Sequence, residues 1–334
     1  MTKVSIVVTA YNRKNYVLYA LKSATSQDAN KSEYEIILVK NFLDSEIDNY
    51  CNENCVTNIL ATGTVGEYIN LGINAARGDI ICFLDDDDLF TQNKVSNLIN
   101  IYERTHFSFL HNNYLEIDET GKIRPPFMKK LHFNNNRNVN ELLIEKIGPK
   151  DVNSFIKNEG DFNISCMSVS RKTALTIAEK VKQINACQDG FLFYSGINEG
   201  KAVHTGLTLT LYRVHHSTSN KLDTFTEYRN NLCKDVLSQL NSLQILFSFH
   251  LNNNVHRAIE SAIGLRMIKL RTFKCKPDNS HINLLNICKN ILIPFNLFNY
   301  VWMIVYFVSL MTGLFAGKAI FSFIRQTMMT VDKM

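Results

Sequence analysis

Four consecutive aspartates at residues 85–88 are the side chains of this sequence most suited to chemistry. They directly follow the apolar run DIICFL at residues 79–84, which has the composition of a buried strand. Adjacent carboxylates repel one another, and a divalent cation with oxygen ligands relieves that repulsion. Ligands of open α/β sheets bind beyond the carboxyl ends of strands, where these aspartates are expected. The alternative is a solvated acidic turn that caps the following helix.

The sequence before and after the aspartates alternates between strand and helix patterns. Short apolar runs predict strands at residues 4–9, 35–39, 55–60 and 79–84. Helical spacing predicts helices at residues 15–26 and 66–76, and Thr91 is expected to cap a helix that ends near Arg104. This alternation favours βαβ units in an α/β fold, with a Rossmann-like, mostly parallel sheet flanked by helices.

Beyond residue 107 the alternation loosens. The pattern predicts a hairpin around residues 118–121, a surface loop at 134–140, strands at 164–170 and 207–214, a helix at 171–184 and helical structure from 224 to 271.

Four segments resemble family 2 glycosyltransferases in their order and spacing. They are VSIVVTAYNR at residues 4–13, YEIILV at 34–39, NLGINAARGDIICFL at 70–84 and the aspartates at 85–88. The resemblance covers residues 1–220 and is densest in 1–105. It implies an inverting enzyme with the GT-A fold, a nucleotide-diphospho-sugar donor and a DxD motif that binds Mg²⁺ or Mn²⁺. Neither GxGxxG nor GxxxxGK[ST] occurs, so the sequence does not support a dinucleotide-binding or P-loop protein.

The resemblance also implies roles for individual residues. Asp87 matches the metal ligand, and His215 in YRVHHS matches a histidine beside the diphosphate and metal. Asp189 in ACQDGFLFY matches the catalytic base, although Gln188 stands where the family usually has a first acid; the alternative is a helix-capping aspartate. The residues expected to bind the nucleotide sugar are Thr9, Tyr11, Asn12, Arg13, Asn41, Asn70, Arg77, Asp85, Asp86 and Arg213.

Two departures from the family pattern concern the nucleotide. Lys40-Asn41 stands where the family commonly has two aspartates, one of which hydrogen-bonds the base. Asn41 can still donate and accept hydrogen bonds. Tyr68-Ile69 replaces an Ala-Arg pair, which removes a cation expected near the phosphates. The sequence therefore leaves open a catalytically inactive, membrane-tethered protein that only binds nucleotide sugars.

An uncharged segment near the carboxyl terminus predicts membrane attachment. Lys289 and Lys318 bracket 28 uncharged residues, and ~20 apolar residues span a bilayer core as a helix. We expect residues 1–220 to form the catalytic domain, 221–290 a helical region and 291–320 the membrane segment, either transmembrane or re-entrant. Basic residues are more numerous before the segment than after it, which predicts a cytoplasmic catalytic domain at the cell membrane. A lipid-linked glycan acceptor would suit that location; an ordinary core helix is the alternative.

Charge and cysteine content limit the remaining classes. A net charge of +5 with both signs interspersed is too small to predict nucleic-acid binding. The eight cysteines show no framework spacing, so we expect free thiols in a reducing compartment.

Overall fold

The computed structural model describes residues 3–124, 141–148, 151–157, 159–214 and 224–275, with the isolated positions 304, 318, 319 and 322. The chain divides into two compact units, Met1–His215 and His216–Met334. The division lies five residues before the boundary predicted at residue 220.

The first half of the first unit is a parallel α/β layer, as the sequence predicts. Its sheet order is β3-β2-β1-β4, with parallel pairing throughout. The strands are β1 (Val4–Ala10), β2 (Tyr34–Lys40), β3 (Thr57–Leu60) and β4 (Ile80–Asp85), and the intervening helices are α1 (Val17–Thr25), α2 (Ser45–Glu53) and α3 (Val65–Ala75).

Local sequence explains why these elements form where they do. Every residue of β1 is buried, in keeping with its unbroken apolar run. The helix α3 begins with a capping box, in which Thr64 and Glu67 bind each other's backbone N–H groups. Gly72 lets α3 approach β1, because a Cβ atom there would lie 2.3 Å from Cγ1 of Val7. Close packing of α3 on β1 helps to fix the end of β1 at the carboxyl edge of the sheet.

The second half of this unit departs from the predicted pattern. The described strands form one nine-stranded sheet that continues β4-β8-β6-β9-β5, with β7 also paired to β9. Because β8 is antiparallel to both β4 and β6, the sheet is mixed, and the expectation of a mostly parallel sheet is wrong beyond β4. The added elements are β5 (Leu89–Phe90), α4 (Lys94–Thr105), β6 (Phe109–Ile117), β7 (Glu141–Ile144), α5 (Asp151–Lys157), β8 (Met167–Ser170), α6 (Arg171–Val181), α7 (Gln188–Asn198) and β9 (Ala202–Arg213).

Several local predictions need correction. Asn93, and not Thr91, is the N-cap of α4. The predicted strand at 164–170 begins with a 3-10 turn over Ile164–Cys166, and only Met167–Ser170 is extended. The predicted hairpin is present, since Ile117 bridges Ile123 in antiparallel fashion. The predicted loop at 134–140 lies outside the described residues.

The second unit contains two helices, α8 (Phe225–Phe247) and α9 (Asn253–Thr272), in its described part. Arg229 near the start of α8 donates from Nε to the carbonyl oxygen of Phe273 after α9, at 2.6 Å, so the helices run antiparallel. This arrangement brings Cys233 and Cys275 together in a disulfide with a Cα–Cα distance of 5.6 Å. The expectation that all eight cysteines are free thiols is therefore wrong.

The predicted membrane segment at 291–320 falls almost wholly outside the described residues. Among the residues that the structure does describe, no helix has the length and apolar character needed to cross a bilayer.

Candidate active site

The carboxyl edge of the parallel strands brings most of the predicted residues together. In the register of the sheet, Thr9 of β1 lies beside Asp85 of β4, and Ala10 lies beside Lys40 of β2. The loops that follow these three strands therefore start at the same edge. They carry the predicted residues Tyr11, Asn12, Arg13, Asn41, Asp86 and Asp87.

Residues 85–88, here called the acid loop, contain three carboxylates that converge. Carboxylate oxygens of Asp85, Asp87 and Asp88 lie within 4.8 Å of one another. Asp86 is not a member of that group, and its carboxylate accepts from Nε and Nη2 of Arg13, the former at 3.2 Å. Asp88 belongs to the converging group, although the sequence analysis gave it no role.

Burial and mutual repulsion disfavour the ionised form of the carboxylates in the acid loop. Burial, together with the neighbouring carboxylates of Asp87, Asp88 and Asp86, raises the pKa of Asp85 well above its usual value. Burial likewise raises the pKa of Asp86 to about 7 and that of Asp88 to about 6. Converging carboxylates that resist ionisation suit a hard divalent cation, which supplies the missing positive charge.

Arg13 supplies part of that charge from the protein itself. Its Nη1 lies 2.6 Å from an oxygen of Asp87, while Nη2 pairs with Asp86. About half of its side chain is exposed, whereas Asp86 is almost fully buried. Arg13 therefore connects the interior of the acid loop to the solvent-facing side of the edge.

The inner side of the acid loop is held by residues 163–165, here called the supporting turn. Asn163 donates from Nδ2 to Asp88 at 2.8 Å, and the backbone N–H of Asp85 donates to Oγ of Ser165 at 3.0 Å. The backbone N–H of Ser165 donates to Oδ1 of Asn163 at 2.7 Å, which ties the two residues of the turn together. Asn163 has φ of 62°, a left-handed conformation that asparagine tolerates better than most residues. Nothing in the linear sequence marked these residues as neighbours of the acid loop.

Arg213 lies at the acid loop, but its guanidinium is occupied by backbone groups. Nε donates to the carbonyl oxygen of Asp87 at 2.7 Å, and Nη1 donates to those of Asp118 and Glu119 at 3.0 and 2.9 Å. The backbone N–H of Arg213 also donates to Asp88, at 2.8 Å. Arg213 therefore braces the loop, and its predicted contact with the nucleotide stays a prediction. His215, the second predicted metal ligand, lies outside the described residues.

Two predicted residues lie away from this edge. Asn70 is buried and donates from Nδ2 to the carbonyl oxygen of Ala178 at 2.7 Å, so it joins α3 to α6. Arg77 precedes β4 and pairs with Glu35 near the start of β2, with Nη2 2.8 Å from Oε2. Because β2 and β4 are parallel, Arg77 lies at the amino ends of the strands, opposite the acid loop. The structure thus corrects the prediction that these two residues join the nucleotide-sugar site.

Asn41 and Asn12 form a reciprocal pair beyond β1 and β2. The backbone N–H of Asn12 donates to Oδ1 of Asn41 at 2.9 Å, and Nδ2 of Asn41 donates to Oδ1 of Asn12 at 2.6 Å. Lys40 is buried and pairs with Asp48 at 2.9 Å, so its charge is directed inward. The exposed ring of Tyr11 lies 5.7 Å from that of Tyr68. This side of the edge therefore presents amide groups and an aromatic face.

Asp189, the predicted base, lies in the first turn of α7 and is partly exposed. Its Oδ1 accepts from the backbone N–H of Gly190 at 2.8 Å. The helix α7 packs against the 3-10 turn that includes Ser165, so Asp189 belongs to the same half of the unit as the supporting turn. Its role as a base stays a prediction.

A family model described as glycosyl transferase family 2 matches residues 5–176, just over half of the chain. Among curated proteins, an uncharacterised glycosyltransferase of Rickettsia bellii is 32% identical over 125 residues, which are 36% of this chain and 18% of that protein. A second relative is WfgD of Escherichia coli, named as a UDP-Glc:α-D-GlcNAc-diphosphoundecaprenol β-1,3-glucosyltransferase. It is 26% identical over 65% of this chain and 80% of its own length.

The fold is similar to that of a solved fragment of the protein TarS. The crystal structure of Staphylococcus aureus TarS residues 1–349 in complex with UDP-GlcNAc aligns with a TM-score of 0.54 at 14% identity, over 93% of this chain and 92% of that one. This similarity supports a GT-A-like α/β fold with a mixed sheet. The chain spans only about a fifth of the length of the Rickettsia relatives that it matches.

Proposed function

The chain belongs to glycosyl transferase family 2, and from that premise we propose that it transfers a sugar, with inversion, from a UDP-sugar to a hydroxyl group of a lipid-linked glycan. The observation that carries the proposal is the acid loop at the carboxyl edge of the parallel strands, braced from inside and paired with Arg13. A UDP donor is favoured because WfgD is named for UDP-Glc and the TarS structure contains UDP-GlcNAc.

The residues of the acid loop fit a resident divalent cation. Asp85, Asp87 and Asp88 would hold Mg²⁺ or Mn²⁺, since their oxygens converge and their mutual repulsion needs a positive charge. The bound ion would offset the negative charge that develops on the departing nucleoside diphosphate. His215 stays a proposed additional ligand on the basis of its sequence position.

The remaining steps belong to side chains of this chain. Arg13, half exposed beside Asp87, would contact the donor phosphates when they approach the edge. Asn12, Asn41 and Tyr11 would bind the nucleoside through amide hydrogen bonds and aromatic contact. Asp189 would accept the proton from the acceptor hydroxyl as its oxygen attacks the anomeric carbon.

The proposed acceptor and location rest on the apolar sequence at residues 295–316 and on the relative with a diphosphoundecaprenol acceptor in its name. We propose that this segment attaches the chain to the cell membrane with the catalytic unit on the cytoplasmic side. An enzyme held at that surface meets lipid-linked glycans within reach of cytoplasmic nucleotide sugars.

A thermal-shift screen of nucleotide sugars, followed by a transfer assay, tests the proposal. A ligand that binds the folded state stabilises it by RT ln(1 + [L]/Kd) and thereby raises the melting temperature. We expect UDP-sugars to raise it more with Mn²⁺ than with EDTA, and GDP- or CMP-sugars to raise it less. The positive donor is then incubated with a GlcNAc-diphospho-polyprenol acceptor, and the glycosylated lipid is detected by mass spectrometry.

The two stages separate the possible failures. A chain that binds no UDP-sugar would contradict the proposed donor. A chain that binds a UDP-sugar but neither transfers nor hydrolyses it would be the catalytically inactive binding protein that the sequence left open.

A further inference from the structure

Lys94 is a lysine without exposed surface that lies behind the acid loop. It is the first residue of α4, and its Nζ donates to the carbonyl oxygen of Ser165 at 2.7 Å, to Oδ1 of Asn112 at 2.9 Å and to Oγ1 of Thr210 at 3.1 Å. These contacts occupy the three donors of an ammonium group. The ring of Phe90 lies 3.9 Å from the same nitrogen and adds a cation–π contact.

The partners of Lys94 come from three elements that converge on Ser165. Asn112 belongs to β6, Thr210 to β9 and Ser165 to the supporting turn. Thr210 also donates from Oγ1 to the carbonyl oxygen of Ser165, at 2.9 Å. That carbonyl oxygen therefore receives two hydrogen bonds, one from an ammonium and one from a hydroxyl, which fixes the backbone of the turn.

Ser165 connects this network to the acid loop through its side chain and its backbone. Its Oγ accepts from the backbone N–H of Asp85 at 3.0 Å. Its own backbone N–H donates to Oδ1 of Asn163 at 2.7 Å, and Nδ2 of Asn163 donates to the carboxylate of Asp88 at 2.8 Å. Asp85 and Asp88 are the two ends of the converging carboxylate group. A continuous path of hydrogen bonds thus runs from Lys94 through Ser165 to both ends of the acid loop.

Ordinary core packing does not account for this lysine. Burying an ammonium group is unfavourable unless its hydrogen bonds are satisfied, and a methionine or leucine would fill a helix position of this kind without that cost. All three acceptors are uncharged oxygens, so a buried ion pair does not account for it either. What the ammonium adds is rigid attachment of three elements at one point directly behind Asp85 and Asp88.

We propose, building on the function proposed above, that Lys94 is a positioning residue that acts through Ser165 to hold Asp85 and Asp88 at the separation a divalent cation requires. Residues that orient metal ligands without touching the metal typically contribute ~10–100-fold to metal affinity.

The direction of the effect separates positioning from simple charge. If Lys94 acted only as a nearby positive charge, it would repel a cation, and its removal would strengthen metal binding. If it positions the ligands, its removal weakens metal binding.

Mn²⁺ is titrated into the protein, and the electron paramagnetic resonance signal of the free ion reports how much stays unbound. This titration gives the Kd for Mn²⁺ without an activity assay. We expect Lys94→Met, which keeps the length of the side chain, to raise the Kd for Mn²⁺ at least ~10-fold. Lys182→Met is the matched control, because Lys182 is an exposed lysine directly after α6 and is paired with Glu179. It removes the same charge and should leave the Kd unchanged.

Ser165→Ala tests the path itself, because it removes the hydroxyl that holds Asp85 but leaves the charge of Lys94. It should raise the Kd as well. The Kd of the double variant should rise by much less than the product of the two single fold-changes. Full additivity of the two changes would overturn the proposal, as would an unchanged or lower Kd in Lys94→Met.

Two further results are informative. If circular dichroism shows that Lys94→Met does not fold, Thr210→Val replaces it, and an unchanged Kd in both Thr210→Val and Ser165→Ala overturns the proposal. A wild-type chain that binds no Mn²⁺ would contradict the metal site of the proposed function, and this inference with it. Wild-type binding that the Lys94 and Ser165 variants leave intact would contradict this inference alone.

Discussion

Among single residues, Asp87 contacts the guanidinium of Arg13 and also belongs to the proposed metal site. It pairs with Nη1 of Arg13 at 2.6 Å and also converges with Asp85 and Asp88. Asp87→Asn keeps the size of the side chain but removes its charge. We expect turnover to fall at least ~10²-fold, because a lost electrostatic contact to the transition state typically costs ~3 kcal/mol.

The measurement is the rate of sugar transfer at saturating Mn²⁺, with folding checked by thermal melting. Glu103→Gln is the control, since Glu103 lies on the exposed side of α4 and pairs with Lys3. Wild-type turnover by Asp87→Asn in the presence of EDTA would show that the acid loop does not work through a metal.

Asp189 allows a sharper separation of binding from chemistry. Asp189→Asn can still accept the backbone hydrogen bond from Gly190 but cannot take a proton. General-base catalysis contributes ~10²–10⁴-fold, so kcat should fall by that factor while the donor affinity stays at the wild-type value. Isothermal titration with the donor and a transfer assay measure the two quantities. Parallel loss of both would make Asp189 a structural residue.

Which site residues the sequence could identify depends on where their contacts come from. The acid loop was predictable because residue type and position after a buried strand both point to the same chemistry. Asn70 and Arg77 were misplaced because their motif runs from α3 to the amino end of β4. Spacing in the sequence does not show that this end of the strand lies opposite the acid loop. Lys94 had one signal, a charged residue on the apolar face of α4 with Leu98 and Ile101. Its partners on β6 and β9 are remote in sequence.

At the scale of elements, the same distinction separates the two halves of the first unit. The strands and helices up to β4 follow from local periodicity, and their βαβ connections imply parallel pairing, although β4 pairs with β1 rather than with β3. The strand β8 pairs with β4 and β6 across more than fifty residues, and short runs such as Leu89–Phe90 carry too little pattern to predict. The mixed order of the second half therefore depends on tertiary packing.

The pairing of β6 with β9 places two buried histidines side by side and makes stability depend on pH. His111 lies opposite His204, with their Nδ1 atoms 3.1 Å apart, and Nε2 of His111 lies 3.0 Å from the carbonyl oxygen of Phe162. His111 must donate to that carbonyl, so its Nδ1 accepts from His204. Burial lowers the pKa of His111 to about 3 and that of His204 to about 4.

The consequence is a loss of stability in acid. An unfolded histidine has a pKa of ~6.5, so the unfolded chain binds more protons than the folded one between about pH 4 and 6.5. The free energy of unfolding should therefore fall as the pH falls through this window, by about 1.5 kcal/mol per histidine between pH 6.5 and 5.

Urea denaturation of wild type and His204→Gln at pH 7, 6 and 5 measures this dependence. The variant should show a shallower decline whatever its stability at pH 7, whereas His106→Asn, at an exposed helix end, should keep the wild-type slope. Equal slopes for wild type and His204→Gln would mean that the pair does not stay neutral in the folded state.

In the proposed function, the two compact units of the molecule have different roles, catalysis and access to the acceptor. The first unit carries the acid loop and Asp189, and the second carries α8 and α9, which precede the apolar sequence at residues 295–316. If that sequence attaches the chain to a membrane, access to a lipid acceptor should depend on it and donor chemistry should not. Truncation can therefore separate acceptor access from catalysis.

A chain that ends at Ser280 keeps every residue of the first unit and both described helices of the second. We expect it to appear in the supernatant after high-speed centrifugation, to hydrolyse the UDP-sugar at the wild-type rate and to lose transfer to a polyprenyl-linked acceptor.

The control is a chain that ends at Ile324, which retains the 28 uncharged residues between Lys289 and Lys318 and should sediment with membranes. These residues, helical over ~42 Å, would exceed the ~30 Å of a bilayer core and leave room for a tilt or a break at Pro294. If the untruncated chain of 334 residues already stays in the supernatant without detergent, membrane attachment is wrong, and the argument for a lipid-linked acceptor loses its main physical basis.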